Sequence, residues 1–223
     1  MSVSTKKKPA PRFATVADLL KRLGDVPAER VRLDPHPGTA KERDVIAARE
    51  RDGVLCELVD GVLVEKPMGS EESNWTAFLI WHLMNVVVRD DLGKVYAPDG
   101  PVRLAPGLVR YPDVAFTSWE RLPKSAPTPI TEVVPDLAAE ILSKSNTKKE
   151  MTRKVDEYFG AGVRLVWLVD PRKREVRVYN SPAAPVVLTA DDVLDGGDVV
   201  PGFRLALAEW FAQAESRGPK GRR

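Results

Sequence analysis

The chain reads as one α/β (α+β) domain, a mixed β-sheet with helices packed on it. Short runs rich in Val, Leu and Ile recur from residue 54 onward and are too brief for helices. Two longer segments, 70–91 and 147–160, instead space their apolar residues at the helical period. With 223 residues, one domain can bury roughly 70% of its unfolded surface.

Thr15 is placed to cap a short helix through Leu19, Leu20 and Leu23 that stops at Gly24. A Pro/Gly-rich link covers 27–38, and a polar helix is expected over 41–50. Two apolar runs, 54–59 and 62–65, flank Asp60-Gly61, a two-residue hairpin signal. Ser70 or Ser73 then opens a helix with Trp75, Phe78, Leu79, Leu83, Val86 and Val87 on its core face, ended at Asp91-Leu92-Gly93. Strands are expected at 94–97, 102–104 and 109–117, with a proline-containing loop over 126–135. A buried strand at 137–142 and a helix at 147–160 follow. A strand at 163–169 turns through Asp170-Pro171-Arg172-Lys173 into another at 175–179. A strand at 186–188 and a closing helix at 205–214 complete the order. The sequence thus divides into a basic tail expected to be disordered (1–12), a helical extension (13–50), the sheet-bearing domain (51–214) and a second such tail (215–223).

Composition narrows the chemistry. The single Cys56 forms no internal disulfide, and His36 and His82 are the only imidazoles, so cysteine-rich zinc sites and nucleophilic triads are excluded. No apolar run reaches 18 residues, and no apolar stretch follows Lys6, Lys7 and Lys8, so neither a membrane span nor a signal peptide is expected. The cytoplasm is the expected compartment. The net charge is +2, yet residues 1–12 and 217–223 hold eight cations and no acid, which leaves the middle at −6. The ends read first as solubilising segments and second as nucleic-acid tethers.

No phosphate-binding glycine loop and no serine-hydrolase or zinc-protease motif is present. What remains is carboxylates and lysines. Asp113 follows Pro112 and starts the apolar stretch Val114-Ala115-Phe116, in extended backbone. Glu140 interrupts Leu137-Ala138-Ala139 and Ile141-Leu142, and Glu57 stands within the apolar run 54–59. A lone buried carboxylate is costly unless it is paired or binds a metal, so each is a site residue, the partner of an arginine, or an acid on the solvated face of an edge strand.

Together the motifs become specific. Pro112-Asp113, then Glu140 27 residues later, resembles the Pro-Asp…(Asp/Glu)-x-Lys pattern of the PD-(D/E)xK nuclease superfamily. The longer match is to its Uma-two restriction-endonuclease branch. Glu57-Leu58-Val59-Asp60-Gly61, Tyr111-Pro112-Asp113-Val114 and Glu140-Ile141-Leu142-Ser143-Lys144-Ser145-Asn146 carry it, with Val166-Trp167-Leu168-Val169-Asp170-Pro171 and Gly202-Phe203 further on. The resemblance implies a restriction-endonuclease-like core, a central mixed β-sheet flanked by helices. It implies hydrolysis of phosphodiester bonds in nucleic acid, DNA first, assisted by Mg²⁺ or Mn²⁺. Asp113 and Glu140 would be the metal ligands, and Glu57 an auxiliary acid. Since one such site cuts one strand, it also points to a homodimer. The rival reading is a non-catalytic nucleic-acid- or protein-binding module that keeps the nuclease fold.

The superfamily lysine two residues after the acid is here Leu142. In the Uma-two branch that lysine stands on the following helix, where Lys154 matches. With Met151 as the zero of a helical wheel, Lys154 lies at about −60°, at the border of the buried stripe, and its stem can carry the ammonium to the carboxylates. Arg153 is expected in solvent, Lys148 is a first-turn rival, and a surface role for Lys154 remains the alternative. Ser73 and Asn74 read as first-turn polar residues, His82 as a packed helix residue, and the five scattered tryptophans as packing rather than a base-stacking platform.

Overall fold

The computed structural model describes residues 13–67, 69–123 and 128–216. The two basic tails, apart from Glu215 and Ser216, and the start of the 126–135 loop lie outside the described residues. Helix α1 (Val16–Arg22), capped by Thr15, and α2 (Glu42–Asp52) precede the hairpin of β1 (Cys56–Val59) and β2 (Val62–Glu65). The long α3 (Ser70–Arg89) leads to β3 (Gly93–Tyr96), β4 (Val102–Ala105), β5 (Leu108–Arg110) and β6 (Val114–Ser118). Next come β7 (Leu137–Ile141), α4 (Lys148–Ala161), β8 (Leu165–Asp170) and β9 (Glu175–Tyr179). The order closes with β10 (Val186–Leu188), β11 (Val193–Asp195), β12 (Arg204–Ala206) and α5 (Leu207–Ala214).

Six strands form the central sheet in the order β10-β9-β8-β7-β6-β3, and a second sheet runs β2-β1-β5-β4. Within the central sheet only β7 and β8 pair in parallel, as their connection through α4 requires. Alternation along β7 sorts its side chains between two cores. Leu137, Ala139 and Ile141 face α3 and α5, with Trp75, Leu79, Leu83, Trp210 and Phe211. Ala138 and Leu142 face α4, with Met151, Val155 and Tyr158. Glu140 shares the parity of Ala138 and Leu142, so its carboxylate is delivered to the α4 side.

Two departures from the sequence expectation change the set of strands. The strand expected over 109–117 is two strands in two sheets: β5 pairs with β1 and β4, β6 with β3 and β7. Pro112 has no N–H to give a ladder, and the chain changes sheets there. The closing helix begins at Leu207 rather than 205, because Arg204–Ala206 pair with the unanticipated β11 and bury Leu194 and Leu205. The run 165–169 is buried throughout and belongs to the core. The β1–β2 turn is as expected, with Asp60 (φ 51°) and Gly61 (φ 72°) both left-handed.

Candidate active site

The change of sheets at Pro112 sets Asp113 at the mouth of β6. Val114 opposes Ala139 across the β6–β7 ladder, so one step outward Asp113 meets Glu140. The backbone N–H of Ile141 donates to Asp113 Oδ2 at 2.7 Å, which fixes the carboxylate against the end of β7. Its other oxygen, Oδ1, is 2.8 Å from Lys66 Nζ, and Lys66 also donates to the Tyr111 carbonyl. Lys66 follows the last residue of β2, so the second sheet supplies this cation.

Glu140 meets α4. Tyr158 donates its hydroxyl to Glu140 Oε1 at 2.5 Å, and Lys154 Nζ lies 3.3 Å from the same oxygen. Lys154 and Tyr158 are four residues apart, one turn on a single helix face. Lys154 Nζ is closer still, 2.8 Å, to Glu57 Oε1, and Glu57 Oε2 receives Arg110 at 2.6 Å. The four residues singled out from the sequence are therefore brought together: Glu57, Glu140 and Lys154 are buried, and the partly exposed Asp113 adjoins them at the strand ends. Asp113, Glu140, Lys66 and Lys154 line a cleft with Arg30, Glu72, Ser73 and Asn146. Glu57 stands behind Lys154, off the cleft wall.

Burial and pairing divide the charges unequally. Burial disfavours the ionised form of Glu57, but Lys154 and Arg110 outweigh it and hold that carboxyl well below its ordinary range. Glu140 goes the other way: burial, reinforced by the Asp113 and Glu57 charges, raises its proton affinity against the pull of Lys154 and Lys66. Burial opposes the Lys154 ammonium, yet Glu140 and Glu57 raise its pKa, so it stays protonated. Burial and the adjoining Glu140 push Tyr158 well above its usual value, so it stays a donor.

Further ion pairs hold the elements that carry the cluster. Arg30 grips Glu150 with both terminal nitrogens, at 2.8 and 3.0 Å, and donates to the Glu65 carbonyl at 2.9 Å. Glu150 in turn closes the capping box of Thr147 at the start of α4. Arg110 also pairs with Glu157, which holds Arg153 at 2.6 Å. Arg153 corrects the sequence expectation: it is half-buried, donates to the Arg22 carbonyl and pairs with Asp60. The N-terminal segment covers the helix face that an isolated α4 would show to water.

Sequence reasoning missed Lys66, Arg30, Arg110 and Tyr158. The one available signal was the Glu65-Lys66-Pro67 step at the end of an apolar strand, which halts the ladder and can turn a side chain inward. Lys148 is exposed and approaches no site acid. Asn74 donates to the Ala214 carbonyl, and His82 Nε2 lies 2.9 Å from Gln213 Oε1, so both tie α3 to α5. Trp75, Trp167 and Trp210 are core residues, whereas Trp81 and Trp119 are exposed.

Among the described residues no helix is long and apolar enough to cross a membrane. The sequence model of one family, Uma2, described as "Putative restriction endonuclease", matches residues 43–208. Among solved structures, the chain is similar to a crystal structure of "a putative nuclease belonging to DUF820" from Anabaena variabilis. Identity is 20% and the TM-score 0.66, over 73% of this chain and 92% of that one. No curated protein matches. The likeness establishes the restriction-endonuclease-like fold.

Proposed function

The chain belongs to the Uma2 family, and from that membership and the geometry of the cleft we propose a metal-dependent endonuclease that hydrolyses phosphodiester bonds in DNA. One observation carries the reading: two carboxylates on adjacent strand ends, Asp113 and Glu140, open on one cleft together with the ammonium groups of Lys66 and Lys154.

The residues fit a hard divalent cation. Among the described residues there is no cage of three or more His, Cys, Asp or Glu side chains. Mg²⁺ and Mn²⁺ need none, because they keep several waters and take one or two carboxylates. Asp113 and Glu140 stand at neighbouring strand ends on one cleft, and burial, the main cause of the raised proton affinity of Glu140, leaves its carboxylate poorly solvated, a state that a bound cation would offset. Asp113 and Glu140 would hold it, and when bound it would activate a water and stabilise charge on the in-line transition state. The chain's own groups do the rest. Ile141 N–H and Tyr158 O–H hold the two carboxylates in place. Lys154, shared with Glu57, fixes Glu140 and stays protonated. Lys66, whose single ion-pair partner among the described residues is Asp113, supplies the ammonium that a phosphate oxygen meets.

A binding module that keeps the fold is the second reading, and one observation favours it: every acid of the cluster is already paired with a cation. The test measures cleavage of plasmid and single-stranded DNA with Mg²⁺ or Mn²⁺, beside a Mn²⁺ titration by calorimetry. Wild type is expected to cleave and to bind Mn²⁺, and Asp113→Asn to do neither. Equal behaviour of the two proteins, or no cleavage under any metal, gives the case to the binding module.

A further inference from the structure

Among the described residues every arginine lies within ion-pair distance of a carboxylate. Of the described lysines, Lys66, Lys149 and Lys154 are paired, whereas Lys21, Lys41, Lys94, Lys144, Lys148 and Lys173 have no such partner. The unpaired lysines are not evenly spread. The parallel β7–β8 pair and the antiparallel β6 and β9 bring the start of β6, the ends of β7 and β8 and the start of β9 to one sheet edge. That edge carries Asp113 and Glu140. Lys144 lies in the turn that leaves β7 there, Lys148 begins α4 just beyond it, and Lys173 sits in the β8–β9 turn. All three are exposed. Lys21 and Lys41 belong to the N-terminal segment, and Lys94 stands over the Trp119 ring on β3.

We propose that Lys144, Lys148 and Lys173, with Arg172, form a track for a polynucleotide phosphate backbone leading into the cleft. The inference rests on the nuclease reading and names the surface that reading lacks. A groove lined by Lys144 and Arg172 adjoins the cleft, and Glu72 is common to both. Arg172 holds its carboxylate loosely, Asp170 at 3.7 Å, and its side chain is 51% exposed, so it is free to turn to a phosphate. Glu71, Glu72 and Glu215 also line the groove, Glu215 paired with Arg174, and their charges disfavour an anion near them, so the phosphates would follow Lys144 and Arg172. Phosphate contacts carry no base information, so the track orders the strand without choosing a sequence. Unpaired lysines suit this role because binding displaces counterions rather than breaking internal ion pairs.

The test uses the full chain in EDTA, with a labelled 30-nucleotide single strand and its duplex followed by fluorescence anisotropy over a NaCl series. The variant Lys144→Gln/Lys148→Gln/Lys173→Gln is compared with Lys21→Gln/Lys41→Gln/Lys94→Gln, which removes the same charge from unpaired lysines elsewhere. Three lost contacts should lower the salt slope by about 2.1 for the single strand and about 2.7 for the duplex. Affinity at low salt should fall roughly ten-fold or more, with the control unchanged and both melting as wild type. Equal slopes in the two triple variants overturn the track while leaving the nuclease reading intact, provided wild type binds. Absence of binding by wild type also overturns the track, while the nuclease reading stands or falls separately on cleavage with Mg²⁺ or Mn²⁺.

Discussion

Arg30 offers the sharpest test of how the site is held, because it comes from a segment that precedes the family match and yet reaches the cleft. Its side chain is 7% exposed and that of Glu150 2%, so their bidentate pair sits out of water. Arg30→Met keeps the stem and removes the guanidinium. Glu150 then retains Asn146 and the Thr147 N–H, at 3.2 and 3.4 Å, but no nearby guanidinium. Stranding one member of a buried pair costs about 3–5 kcal/mol. For a chain of this size that lowers Tm by about 6–20 °C, at roughly 2–4 °C per kcal/mol. Arg30→Met/Glu150→Gln should recover about half of the loss, since the amide can still accept from the α4 start. The pH dependence has a defined sign. Burial opposes ionisation of Glu150, and Arg30, helped by the Lys154 charge, more than compensates, so its pKa in the fold is depressed. Stability from the pair is therefore present above the ordinary carboxylate value, about 4.3, and lost as pH falls through the depressed one. In Arg30→Met the proton affinity of Glu150 rises instead, so the gap from wild type should narrow on acidification. Urea unfolding at pH 7 and pH 5 measures it. A loss under about 1 kcal/mol, or a gap that widens toward pH 5, refutes the reasoning.

The two site lysines should respond differently. Lys154→Met leaves Glu57 and Glu140 without their shared ammonium and should cost about 3–5 kcal/mol in urea unfolding, whereas Lys66→Met, beside the partly exposed Asp113, should keep the fold and lose cleavage. Mn²⁺ at a hundred times its Kd should add about 2.7 kcal/mol of stability, read as a Tm rise in wild type that is missing in Asp113→Asn. Gly61→Ala should lower stability by about 1–2 kcal/mol or more by thermal melts, since its φ is 72° and a Cβ would lie 2.6 Å from the Gly38 carbonyl.

What was legible in the sequence was whatever depends on local pattern. Glu57 and Glu140 stood out because each interrupts an apolar strand, and both are buried. Thr147 and Glu150 announce the start of α4 by their spacing, and both halves of the capping box form. The cations that answer those acids were not legible, because a long stem can send its charge to several neighbours and only three-dimensional register selects one. Lys66 finds Asp113 across 47 residues of chain, and Arg30 finds Glu150 across 120. The wheel placed Arg153 on the outer face of α4 correctly for an isolated helix; its burial depends on α1 and the Asp60 turn packing over that face. The strand break at Pro112 was readable in principle, since the same missing N–H that made Asp113 notable also forbids one ladder through 109–117.

These pairings bear on why Leu142 can stand where the superfamily pattern has a lysine. Leu142 is buried against Met151 and Val155, on the face of β7 that also carries Glu140. An ammonium arriving along that strand would replace core packing, whereas one arriving from α4 lies between Glu57 and Glu140 with its stem already in the core. The helix route has a consequence. An ammonium shared by two carboxylates and 2% exposed is committed to holding Glu140 and has little left for a substrate. On the nuclease reading proposed above, the two tasks that a single strand lysine would combine would then be divided: Lys154 would set the carboxylate, and Lys66, delivered by the other sheet to the Asp113 side of the cleft, would meet what enters. Joining the two sheets at Pro112 is what allows that division, since it puts the end of β2 beside the start of β6.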